Sequence, residues 1–296
     1  MSRVGEWVLG ALSRPPEAED HAAARDPWNQ ANALDILRAA FPDLEALVRG
    51  RRVLDFGCGG GWQALALAGL GAGFVLGIDS NERVLRSARS LARRMGTDPR
   101  RLRFAAALPP ALAGSFDVVI SQNAMEHFGD PVGVLRAMRG ALAPGGRVLV
   151  TFGPPWLAPS GSHMHFFTRV PWVNLLFSER TVMAVRARYR HDGARRYEEV
   201  ESGLNRMTLR RFERVVRASG LRIERRADRC VKGLPLLHRV PVIRELAVNV
   251  VNAVLVPRDP PRRTFGAGAQ HLPPASDENS GPPVPPQSAS PSPAVV

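Results

Sequence analysis

The chain has 296 residues, is 45% hydrophobic and 23% charged, and carries 40 basic against 27 acidic side chains for a formal charge of +13. That length and apolar content can bury a sizeable core, and they exclude collagen-like and wholly disordered chains. Two cysteines far apart in the sequence, Cys58 and Cys230, offer neither a disulfide framework nor a zinc set, so a reducing cytoplasmic compartment is expected.

The opening residues Met1 to Glu6 lack the basic-then-apolar run of a signal peptide. Residues 1–27 are poorly patterned, apart from a short amphipathic piece around Trp7-Val8-Leu9 that is expected to dock on the body. A helical stretch from about Asn29 to Val48, interrupted at Pro42, precedes the apolar run Arg52 to Phe56, which ends in glycines. A helix to about Leu70, a strand from Phe74 to Asp79 and a helix from Asn81 to Met95 follow. Further strands are predicted at Arg101 to Ala105, at Phe116 to Ser121 and, after a helix from Pro131 to Leu142, at Arg147 to Phe152. Short, near-continuous apolar strands separated by helices indicate a parallel sheet covered on both faces.

Gly153 to Met207 reads as an irregular insertion rich in aromatics and histidine. Thr208 then resembles a helix N-cap before Leu209, Phe212, Val215 and Val216, and Gly220 ends that helix. Leu221 to Arg226 and Asn249 to Leu255 are candidate final strands. The longest apolar window, Val248 to Val256, is broken by Asn249 and Asn252 and is too short to span a bilayer. From Pro257 onward proline, serine and glycine dominate, the composition of a disordered tail. The expected fold is therefore α/β, a doubly wound, mostly parallel seven-stranded sheet. It divides into an N-terminal segment (1–27), a core (28–152), an inserted lid (153–207), a helix and strands completing the sheet (208–257) and a tail (258–296).

The most informative segment is Asp55-Phe56-Gly57-Cys58-Gly59-Gly60-Gly61. Glycines directly after a buried strand let the backbone approach a ligand closely, and the following helix offers free N–H groups. A dinucleotide loop needs Gly-x-Gly-x-x-Gly, but Trp62 occupies the third glycine position, and a Walker A ending is absent. Asp55, two residues before the first glycine, would repel a pyrophosphate and suits a cationic amine. Asp79 closes the next strand, where a carboxylate can accept both hydroxyls of an adenosine ribose. An amine, a ribose and no phosphate point to S-adenosyl-L-methionine.

With Val53 to Gly61, Gly77-Ile78-Asp79, Phe116 to Ser121, Glu126-His127 and Leu142-Ala143-Pro144-Gly145-Gly146 in order over about 100 residues, the sequence resembles the class I, Rossmann-like S-adenosylmethionine-dependent methyltransferases of small-molecule type. The resemblance implies that Asp55 and the Gly57, Cys58, Gly59 and Gly61 backbone hold the methionine moiety and that Asp79, with Ser80 beside it, holds the ribose. It also implies that Ser121 and Gln122 line the cofactor and face the acceptor. The stretch after the third strand, Phe104 to Leu108, lacks the acid common in the family. Adenine recognition is then expected to rest on backbone groups and packing by Ala106 and Leu108.

Methyl transfer from an activated sulfonium is an in-line displacement, and a base is needed only if the acceptor must lose a proton. His127 is one candidate base, although Glu126-His127 also reads as a scaffold pair. His163 and His165 are others, because alternate residues of an extended segment point the same way. A metal site would need a third ligand that the sequence does not supply. Trp156, Phe166, Phe167 and Trp172 are expected to wall an apolar or sugar-like acceptor. The expected activity is O-methylation of a small metabolite or sugar-containing acceptor. The alternatives are an RNA-directed methyltransferase and a non-catalytic module that binds S-adenosylmethionine without turnover. Nucleic acid is the weaker partner because 39 of the 40 basic residues are arginines spread along the chain without an aromatic platform.

Overall fold

The computed structural model describes residues 2–14, 30–200, 203–231 and 240–258. Beyond Arg258, the tail expected to be disordered lies outside the described residues. Among the described residues three helices come first, α1 (Ser2–Leu12), α2 (Gln30–Ala40) and α3 (Leu44–Val48). Strands and helices then alternate: β1 (Arg52–Phe56), α4 (Trp62–Gly69), β2 (Phe74–Ile78), α5 (Glu82–Arg94), β3 (Leu102–Ala105), β4 (Phe116–Gln122), α6 (Pro131–Ala141) and β5 (Leu142–Phe152). The remainder comprises α7 (Val173–Leu176), α8 (Glu179–Arg186), α9 (Leu209–Ala218), β6 (Leu221–Cys230), α10 (Pro241–Ala247) and β7 (Val248–Pro257). All seven strands form one sheet in the order β3-β2-β1-β4-β5-β7-β6. The first five are parallel, and β7 runs antiparallel to both β5 and β6.

The two-residue period of each strand sorts its side chains between two cores. Val53, Val75, Val118 and Ile120 face one way and pack with Leu37 of α2, Phe41 just after it, Leu67 of α4 and Leu91 of α5. Leu54, Leu76 and Val119 face the other way, against Leu135 and Met138 of α6 and Phe212 and Val216 of α9. Burial of each such side chain stabilises by about 1.5–3 kcal/mol, so both faces of a central strand are selected to be apolar. Helix starts are fixed locally. The Asn81 side chain accepts from Arg83 N–H, Asp130 from Gly133 N–H, and Thr208 from Arg211 N–H. The strand order reverses between β1 and β4, which opens a crevice beyond their carboxyl ends.

Two regions are more ordered than their sequence implies. Residues 2–12 of the poorly patterned N-terminal segment form α1, whose Leu9 is fully buried. Gly5 makes the docking close: a Cβ there would lie 3.3 Å from Thr181 Cγ2 of α8. The insertion at 153–207 contains α7 and α8 and a core of its own, built from Met164, Phe167, Val173, Val182, Val185 and Tyr197 together with Leu9. Its apolar residues are spaced irregularly because they converge from turns rather than from one helix face. The strand β6 runs four residues beyond its expected end at Arg226, to Cys230. Its alternating arginines conceal the strand in the sequence, since this edge strand packs its apolar face only sparsely.

Candidate active site at the carboxyl edge of the sheet

The turn after β1 is shaped by three glycines with positive φ, Gly57 at 80°, Gly59 at 49° and Gly61 at 86°. Gly57 and Cys58 both donate their backbone N–H to Ile78 carbonyl oxygen, at 2.8 and 2.9 Å, which locks the turn against the end of β2. The glycines differ in what they allow. At Gly61 a Cβ would stand 2.8 Å from Ala88 Cβ and 2.9 Å from the Phe104 ring, so this glycine brings α4 against its neighbours. At Gly59 and Gly60 a Cβ would meet nothing within 4 Å, leaving the outer side of the turn open to a ligand.

Asp55 lies beneath this turn and is 1% exposed. Its Oδ1 accepts from Gln63 Nε2 at 2.6 Å, while its buried Oδ2 has no protein partner. Burial, opposed by the Gln63 hydrogen bond and reinforced by the nearby Asp79 charge, pushes the Asp55 carboxyl up to about 7. Asp79 accepts from Gly59 N–H at 3.0 Å through one oxygen and from Asn81 N–H at 2.9 Å through the other, so it ties the glycine turn to the start of α5. Cys58 is buried, and that burial, with Asp55 and Asp79 nearby, raises its thiol and makes it inert. Ser80 and Ala106 are exposed just beyond β2 and β3. At the end of β4, Ser121 is 1% exposed, and Ser121 Oγ and both polar atoms of the Gln122 side chain are buried without protein partners. Unpartnered buried polar atoms cost about 1–3 kcal/mol each. Their concentration at Asp55, Ser121 and Gln122, beside an open glycine turn, fits a polar ligand with a cationic group.

The segment after β4 adjoins the same turn, since a Cβ on Gly57 would lie 3.8 Å from Ala124 Cβ. Asn123 takes a left-handed φ of 49°, and His127 N–H closes a turn onto Ala124 carbonyl oxygen at 2.9 Å. His127 Nδ1 is 2.7 Å from the carbonyl oxygen of Gly203. A carbonyl only accepts, so Nδ1 carries the proton and Nε2 is left as the free lone pair. The His163 ring stands edge-on to His127 with centroids 5.6 Å apart. Burial, then the His127 and His165 charges, push His163 down to about 4, which keeps it neutral at physiological pH. Both rings line a hollow of about 240 Å³ with Met164, Phe166, Arg186 and Arg190.

The expectation that His163 and His165 act together is not met. The segment is a series of turns, His163 adopts φ 56°, and His165 is exposed. His163 therefore turns inward to His127, its partner from another segment. Among the four aromatics expected to wall the acceptor, Phe166 lines the hollow. Phe167 is buried in the lid core and stacks on Tyr189, Trp156 packs edge-on to Tyr197, and Trp172 donates to Leu157 carbonyl oxygen. Among the described residues no group of three metal-ligating side chains converges.

Among the positioning residues, Gln63 and Asn205 escape a reading of the sequence, whereas Glu126 belongs to the scaffold pair read there. Gln63 reaches back to Asp55 from the first turn of α4. Glu126 is 3% exposed, accepts from Gly153 N–H at 3.3 Å and has its carboxyl raised by burial. Asn205 donates to both Met125 and Phe128 carbonyl oxygens at 2.8 Å, which clamps the His127 turn to the lid. A glutamine eight residues after Asp55 is a faint signal; nothing around Asn205 marks it.

Residues 54–150 match the family model described as a methyltransferase domain. A ubiquinone biosynthesis O-methyltransferase of Neisseria meningitidis serogroup C is 41% identical over 115 residues, covering 38% of this chain and 48% of the relative. Its counterpart from Ralstonia nicotianae is 35% identical over 147 residues, 47% of this chain and 61% of the relative. The chain thus spans about half the length of the curated relatives it matches. Among solved structures, a chain of the complex between the Haloferax volcanii Trm112 methyltransferase activator and a methyltransferase aligns with a TM-score of 0.50 at 18% identity, covering 81% of this chain and 96% of that one. The [4+2]-cyclase SpnF aligns equally, with a TM-score of 0.50 at 17% identity over 77% and 80%. At these identities the structural likeness describes the fold alone.

Proposed function

We propose, from the premise that residues 54–150 are a class I, Rossmann-like S-adenosylmethionine-dependent methyltransferase domain, that this chain methylates a hydroxyl oxygen of a small-molecule acceptor. The observation that carries the reading is a buried, half-satisfied carboxylate beneath an open glycine turn at the reversal point of the sheet. S-adenosylmethionine, when bound, supplies an electrophilic methyl group on a sulfonium. Asp55 Oδ2 would take the cationic amine, the Gly57–Gly61 backbone would lie along the methionine portion, and Asp79 would exchange a loop N–H for ribose hydroxyls. Ser121 and Gln122 would meet the remaining polar edge, and Ala106 would flank the adenine.

A hydroxyl attacks as an oxyanion or with a base in contact, and His127 Nε2 is the proton acceptor in this reading. Its Nδ1–H is already committed to Gly203, which fixes the tautomer and the ring plane. A neutral His163 alongside adds no charge to oppose protonation of His127. Glu126 and Asn205 hold the segment that carries His127, and Phe166 and Met164 give an apolar wall to a hollow that Arg186 and Arg190 also line. The O-methyltransferase names of the curated relatives support oxygen as the acceptor atom.

Calorimetry with S-adenosylmethionine, followed by methyl transfer to a panel of phenols and catechols, tests this. One cofactor is expected per chain, with Asp79→Ala weakening it at least tenfold, or about 1.4 kcal/mol. His127→Gln should lower kcat by about 10²–10⁴-fold with cofactor affinity unchanged. Absence of cofactor binding overturns the site. Binding without transfer to any hydroxyl acceptor favours the non-catalytic module instead.

A further inference from the structure

The lid carries a second hollow on the far side of Arg190, a groove of about 750 Å³. Its floor is apolar, made by Met183 and Ala184 of α8 with Ala187 and Ala194. Its rim is cationic: Arg180, Arg195 and Arg196 all line it and are all exposed. Among the described residues none of these three guanidiniums meets a carboxylate. The acid in the lining, Glu179, is already occupied, accepting from Arg206 at 3.0 Å and from Tyr197 N–H at 2.8 Å. Like charges gathered on one groove repel, and an anion seated between them relieves that repulsion. Guanidinium forks match carboxylate and phosphate oxygens in pairs, whereas the methyl-lined floor matches hydrocarbon. Arg190 lines both this groove and the His127–His163 hollow, and its guanidinium lies 4.7 Å above the Phe166 ring, so the two spaces share a wall there.

We propose that this groove binds an anionic amphiphile, a molecule with an apolar body and a carboxylate or phosphate end. Resting on the acceptor reading above, it is the seat of the acceptor's own acidic end, with the body along Met183, Ala184 and Ala187. The arginine rim then sorts acceptors by charge before any reaches His127.

Dodecanoate and dodecyl phosphate, titrated calorimetrically into the full chain without cofactor, test the proposal. Each is expected to bind once per chain, and whichever is tighter identifies the anion. The double variant R195A/R196A should weaken binding at least tenfold, and Ala187→Trp, which fills the floor without touching a charge, should do the same. Dodecanol should fail to compete. Equal affinity in the double variant, equal binding of dodecanol, or no binding of either anion below about 1 mM overturns the proposal. Cofactor affinity measured on the same samples reports on the glycine turn instead. Its absence alongside bound dodecanoate counts against methyl transfer and not against the groove.

Discussion

Asp55 couples the ligand, the proton and the stability of the fold. Its carboxyl is raised to about 7, so between about pH 4 and 7 the folded chain keeps a proton that the unfolded chain has lost. This residue's contribution to stability therefore declines as pH rises through that window and is at its worst above it. His163, lowered to about 4, works in the opposite sense, because below about 6.5 the unfolded chain gains a proton that the folded chain refuses. The two slopes partly cancel in the parent protein. Melting temperatures of Asp55→Asn against pH should consequently show a steeper rise from pH 4 to 6.5 than the parent does. An amine that needs the ionised carboxylate should bind about tenfold more weakly for each pH unit below 7, with proton release visible as a buffer-dependent calorimetric heat. A flat affinity from pH 5.5 to 8 would remove Asp55 from contact with the amine. Asp55 and Asp79 were legible in the sequence because strand ends and glycines announce themselves. The His127–His163 pairing was not, since it depends on a left-handed φ at residue 163 and on a carbonyl, Gly203, from 76 residues away.

At the level of elements, helix and strand positions followed from residue pattern wherever packing has one period. The strands β1 to β4 match their expected spans to within a residue or two; in β1, β2 and β4 both faces are largely buried and the apolar run is nearly continuous, whereas β3 is a short edge strand. The lid escaped because its core is assembled from turns. Helix α1 is part of that lid core through Leu9, so Leu9→Ala should cost about 2–5 kcal/mol, the range for a truncated core leucine. The loss should appear as faster amide exchange in residues 179–186, with cofactor affinity unchanged. Helix α9 is started twice over, by Thr208 Oγ1 on Arg211 N–H and by the buried Glu245 carboxylate on Leu209 and Arg210 N–H. Thr208→Ala is expected to cost about 1 kcal/mol, whereas Glu245→Ala, which removes two charge-assisted hydrogen bonds, should cost about 1.5–3 kcal/mol. Thermal melts that rank the two in the reverse order would mean that Glu245 is held there by α10 rather than needed by α9.

Among the described residues many arginines are committed to structure. Arg52 and Arg101 bond backbone carbonyls between strands and loops, Arg186 forks onto Asp192, and Arg226 and Arg244 share Asp228. Arg225 reaches Asp43 across the sheet edge, and Arg206 joins Glu179 and Glu198. Charge used in this way is poorly placed to follow a phosphate backbone. The protein should leave an RNA column below about 150 mM salt, and retention above that would revive the RNA-directed alternative. No described helix is long and apolar enough to cross a membrane.

The interior is partitioned into three packed volumes, two against the sheet and one within the lid together with α1. The family-model match at residues 54–150 draws on the first two and includes no residue of the third. Side chains of the third can therefore be exchanged without altering a residue packed against the sheet, and what such changes pass on to the glycine turn goes through the Asn205 hydrogen bonds to Met125 and Phe128.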